Sequence, residues 1–152
     1  MHSHSAQQEQ AQPGIVWIKL AVLYLVVGVA IGIGMGASQD FTLRPIHAHV
    51  NLLGWATLAI SGLIYTVFPQ TGTTRLARIH FWLLNLALPL MMGSLAYVLL
   101  TGDVQILPAL VIAEISAAVS ILAMTANIFL NLQNRKETAA AGMAPDVSPR
   151  GA

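Results

Sequence analysis

Four apolar runs, each long enough to cross a bilayer and each closed by a short polar segment, constrain this chain more than any other feature. They fall at about residues 14–36, 46–68, 80–100 and 106–130, and the segments between them read QDFTLRP, PQTGTTRLAR and TGDVQ. Roughly 20 apolar residues span the hydrocarbon of a membrane, where no water is present to pair backbone N–H and C=O groups, so runs of this length must be helices. The fold expected is therefore all-α, a four-helix transmembrane bundle over residues 14–132. Composition agrees, because only 9% of residues are charged, against about a quarter in a water-soluble domain. The 152 residues leave no room for a second domain beside such a bundle.

The two ends lack the apolar pattern. Residues 1–13 are polar and Gln-rich with His2 and His4, and residues 133–152 are small, polar and Pro-containing; neither buries enough apolar surface to fold alone, so both are expected to be disordered tails. The first run is too long for the apolar stretch of a secretory signal and lacks its flanks, which predicts that it stays in the mature protein. Lys19, Arg75, Arg78, Arg135, Lys136 and Arg150 share one side of a four-span topology and Arg44 alone lies on the other. That asymmetry predicts cytoplasmic termini in a bacterial cytoplasmic membrane. The net charge of +1 gives no reason to expect nucleic-acid binding. With no cysteine, disulfides, iron–sulfur clusters, thiol nucleophiles and covalently attached c-type haem are excluded, leaving histidine, methionine and carboxylates as metal ligands.

Histidine is costly inside a bilayer and usually faces protein, water or a ligand. In RPIHAHVNLLGW, His47 and His49 stand in the first turns of the second run, with Pro45 suited to a helix start because its missing N–H would be unpaired there. At i and i+2 the two point roughly 200° apart, so they cannot chelate one ion and would serve centres on different sides of the helix. Seven residues further on lie Gly54 and Ala56, small enough to leave room for a flat ring below an axial imidazole, and equally suited to close helix packing. His80 starts the third run at the other membrane face, roughly 30 Å from the His49 level, so it cannot complete the same site. It reads as a structural residue of the interface. A haem with two axial histidines would then need one from a neighbouring subunit, or would keep an open position.

The stretch HAHVNLLGWATLAISGLIYTVFPQTG resembles a helix of the catalytic subunit of the haem–copper oxidases, closest to the C-type oxidases and the related nitric oxide reductases. In that family a His-x-His near the outer membrane face ligates the low-spin and the high-spin haem with one histidine each. The resemblance includes the Leu-Gly-Trp after the histidines, the Gly-x-x-Tyr further on and the closing Pro and Gly, and it continues into TTRLARIHFW, covering about residues 40–82. By helix count the chain is similar to the last four-helix third of a twelve-helix subunit. The resemblance implies non-covalent haem b on His47 and His49, near the periplasmic side. It implies no oxygen reduction at a haem–copper pair, because the family's copper ligands, a His and Tyr on one helix and a His-His pair on another, have no counterpart here. One such four-helix arc could rebuild the family's threefold ring as a homotrimer, each second helix offering His47 to one haem and His49 to the next.

Other residues add to this outline. Gly28, Gly32 and Gly36, with Gly34 between, allow close helix approach. Met35, at comparable depth to the histidines, offers a thioether to iron or copper, although such a residue more often fills a gap. Glu114, two turns into the fourth run, and Asn51 are candidates for holding a ligand histidine or relaying a proton; Glu114 could equally join helices with Asn85. Arg44 suits haem propionates or lipid headgroups. The function expected is a b-type haem-binding membrane protein in electron transfer or in nitric oxide or oxygen redox chemistry, with a redox partner or quinol. The alternative is a non-enzymatic copper or haem accessory protein with His47, His49 and Met35 as ligands.

Overall fold

A computed structural model of the chain describes residues 13–132; the two expected tails, Pro13 excepted, lie outside the described residues. Helix α1 spans Gly14–Ser38 and ends where Gln39 turns left-handed at φ 56°. The second crossing is composite, with α2 at Arg44–His49, a π-helical segment at Val50–Thr57 and α3 at Leu58–Val67. After the short α4 (Pro69–Gly72), α5 spans Arg75–Thr101 and α6 spans Leu107–Asn131. No strand occurs among the described residues. The four long helical stretches are each apolar and long enough to cross a membrane, as the hydropathy requires, and the protein is a multi-pass membrane protein of all-α class.

Two boundaries differ from the sequence reading. The second crossing starts at Arg44, and α5 starts five residues before His80, at Arg75. In the latter case Thr74 caps the helix, its hydroxyl accepting from the Ala77 N–H at 3.0 Å, so the RLAR stretch that follows is helical although it carries two charges. Gly102 closes α5 with φ +72°, a conformation favoured by glycine, and its N–H donates to the Val98 carbonyl.

Crossings pack antiparallel as two hairpins. Gly14 of α1 lies against Gly62 and Thr66 of α3, while Gly28 lies against Asn51; likewise His80 of α5 bonds Ser120 of α6. Both ends of the described chain therefore lie at one end of the bundle. There the hairpins meet around Trp17, whose ring stacks on His80 at 4.6 Å and meets Tyr65 and Phe81 edge-on at 5.3 and 5.0 Å. A polar cluster adjoins it: Asn127 donates to the Thr71 carbonyl at 2.8 Å and accepts from the Thr74 hydroxyl at 2.7 Å. In hydrocarbon such bonds join helices because the alternative is an unpaired polar group. The outward surface is apolar, with Ile33, Leu86 and Phe129 exposed, and suits lipid.

Candidate ligand site around His47 and His49

Pro45 in the first turn of α2 sets the helix start, and His47 and His49 follow within two turns, at the end of the bundle opposite Pro13 and Leu132. His47 leans on α1. Its Nδ1 lies 3.0 Å from the carbonyl oxygen of Gly28, and a methyl group built on Gly32 would meet its Cε1 at 3.0 Å. A methyl group on Gly28 would come within 2.6 Å of both polar atoms of the Asn51 amide. The glycine stripe of α1 is thus a saddle in which the His47 ring and the Asn51 amide sit side by side.

These contacts define the tautomer of His47. A carbonyl oxygen only accepts, so Nδ1 carries the proton and Nε2 the lone pair. Asn51 Nδ2 lies 3.4 Å from the same Nδ1, but two N–H groups cannot bond each other; the amide instead donates to the His47 carbonyl at 2.8 Å. His49 repeats the pattern on its own helix, Nδ1 donating to the Pro45 carbonyl at 2.7 Å. Among the described residues no hydrogen bond reaches Nε2 of either ring. Both imidazoles are half-buried, and each presents the nitrogen that a metal would take.

His80 is the opposite case. It is fully buried, with Nδ1 donating to the Ser120 carbonyl at 3.0 Å and Nε2 held by the Ser61 hydroxyl at 3.2 Å. Neither nitrogen is left for a ligand. The structural role expected of it stands, but its place is the core between three crossings rather than the membrane boundary, because the early start of α5 puts it in the second helical turn.

The remaining candidates divide. Asn51 is brought to His47, as described. Gly54 is taken up by packing, since a methyl group there would meet the Tyr24 ring of α1 at 2.6 Å; the room expected for a flat ring beneath His47 is filled by that tyrosine. The π-helical segment also changes the phase between His47 and Gly54, so the seven-residue relation no longer marks one face. Ala56 is half-buried and Met35 is buried near the end of α1. Arg44 is exposed and lies over the Phe41 ring at 5.4 Å. Beside it, hydroxyl and backbone hydrogen bonds from Thr42 hold the exposed Asp40 carboxyl below its usual range. Glu114 lies on the outward face of α6; it does not join Asn85, whose amide donates to the Phe81 carbonyl.

Two features escaped the sequence reading. The π-helical segment begins directly after His49, and side chains add to its carbonyl bonding: the Asn51 amide joins the Val50 N–H on the His47 carbonyl, and the Thr57 hydroxyl donates to the Leu52 carbonyl, at 2.8 Å each. The saddle for His47 was visible only as a stripe of small residues; Asn51, one turn after His47, was its nearest signal. Among the described residues no three histidines, cysteines or carboxylates gather as a metal site. No protein-family model, curated protein or solved structure matches this chain.

Proposed function

We propose that this is a b-type haem-binding membrane protein, related to the haem–copper oxidase catalytic subunit, in which His47 of one copy and His49 of the next clamp each haem in a homotrimer. The observation that carries the reading is the shared state of the two rings: each Nδ1–H is tied to a main-chain carbonyl, and each Nε2 lone pair is left unengaged by the described residues. Ligand histidines are oriented in this way, the second nitrogen fixing ring and tautomer. A π-helical segment directly after them supports the reading, since such segments are frequent at functional sites.

A bare metal ion would need more ligands than the described residues gather, whereas iron already held by a porphyrin needs one or two axial ones. His80 supplies none, being engaged at both nitrogens and standing at the level of Ser61, about half a crossing from His49, roughly 18 Å at the helical rise rather than the roughly 30 Å expected from the sequence. With no further imidazole near them among the described residues, the second ligand of each haem would come from another copy, and head-to-tail contacts of this kind close into a ring when the rotation permits. Haem iron would supply a reversible one-electron couple suited to electron transfer or to handling nitric oxide or oxygen. His47 and His49 would hold it, Asn51 and the α1 glycines would position His47, and the side with fewer basic residues would be periplasmic.

Reduced-minus-oxidised spectra of the purified protein test this. Split visible bands after reduction support a haem held by two histidines. A colourless, copper-replete protein overturns it in favour of a copper accessory role.

A further inference from the structure

The end of the bundle where the described chain begins and ends holds a second arrangement, independent of the histidines. Arg75 and Arg78 stand on the exposed side of the first turns of α5. Arg78 forms a ridge between two open grooves. One, of about 490 Å³, is floored by Val16, Trp17, Ala77 and Phe81, with Thr73 and Thr74 at its rim. The other, of about 500 Å³, is lined by Arg75, Ile79, Trp82 and Leu83. Trp82 and Ile79 are 58% and 46% exposed, so the second groove opens directly on the lipid-facing surface.

Charge selects the occupant. The acids among the described residues are Asp40, Asp103 and Glu114. The first two lie in the connections at the opposite end and the third in the half of α6 near that end. No described carboxylate therefore balances Arg75 or Arg78. A second copy docking by this same end would bring the same positive charge, and a small soluble anion would leave both apolar grooves empty. We infer that Arg75 and Arg78 bind the phosphate of an anionic phospholipid whose two acyl chains lie on either side of Arg78, one toward Trp17 and Phe81 and the other along Ile79 and Trp82. Arginine suits the phosphate as a planar, permanently charged donor, and basic sites at a membrane face are known to take such headgroups.

The test is lipid titration of the full chain in mild detergent, read by native mass spectrometry with phosphatidylglycerol and phosphatidylcholine. Phosphatidylglycerol is expected to bind preferentially, and the double variant Arg75→Gln/Arg78→Gln to weaken it about 30-fold, from about one unit of surface electrostatic attraction per arginine. Lys19→Gln, which removes a charge that lines neither groove, should leave binding within about twofold. Arg78→Lys, which keeps the charge and the fold, should retain most of the preference, and Trp82→Ala should weaken both lipids alike. Equal binding of the two lipids by the unaltered protein, an equal loss in Lys19→Gln, or displacement of phosphatidylglycerol by an equal concentration of glycerol phosphate would each overturn the inference.

Discussion

His47, His49 and His80 show how one residue type takes different roles from its hydrogen bonds alone. At His80 both nitrogens are engaged and the ring is stacked on Trp17. At His47 and His49 a carbonyl takes one nitrogen and the other meets no partner among the described residues. His47→Ala and His49→Ala are each expected to abolish a two-histidine haem spectrum in the purified protein. By contrast, His80→Ala should leave the spectrum of the folded protein intact while lowering stability by about 2–5 kcal/mol, as for other large-to-small core changes. The glycines of α1 differ as sharply. Gly28→Ala would force the Asn51 amide from its place and should cost about 1–3 kcal/mol. Gly34, with nothing within 4 Å of an added methyl group, should tolerate alanine within about 0.5 kcal/mol. Thermal unfolding in detergent separates the two.

At the scale of elements, the second crossing is the unusual one, because π-helical winding follows the two histidines at once. α5 carries a different irregularity. Pro89 in its interior has no N–H for the Asn85 carbonyl. Pro89→Ala should restore that bond and stabilise the protein by up to about 3 kcal/mol, measurable as a higher midpoint of thermal unfolding; an unchanged midpoint would mean that the carbonyl is satisfied in another way. The existence of four crossings was legible from hydropathy, since 20-residue apolar runs have one solution in hydrocarbon. The start of α5 was not, because Thr74 and the two arginines carry no apolar signal and the cap decides the boundary. The π-helical segment was also hidden: no residue type in VNLLGWAT marks it, and the Tyr24 ring that packs on its Gly54 comes from another helix. His47 and His49 were legible as ligand candidates from their spacing. Their tautomers were not, because the partner of His47 is a backbone carbonyl on another helix, 19 residues away.

For the whole molecule, two antiparallel hairpins tied together around Trp17 leave each outer apolar surface to lipid or to another copy. The histidine pair makes one demand on that surface. Two rings whose Nε2 atoms meet no partner among the described residues stand on one helix, and under the proposed function a neighbouring copy would complete each site. Glu114, an exposed carboxyl within a membrane-spanning helix, adds to the demand, because a carboxylate facing hydrocarbon is costly and a neighbouring copy would relieve it. The most direct test is the native mass of the protein purified in mild detergent, taken together with its haem-to-chain ratio and its reduced spectrum. The account predicts a trimer with one haem per chain and a spectrum of two-histidine ligation, and a haem-replete monomer would contradict it.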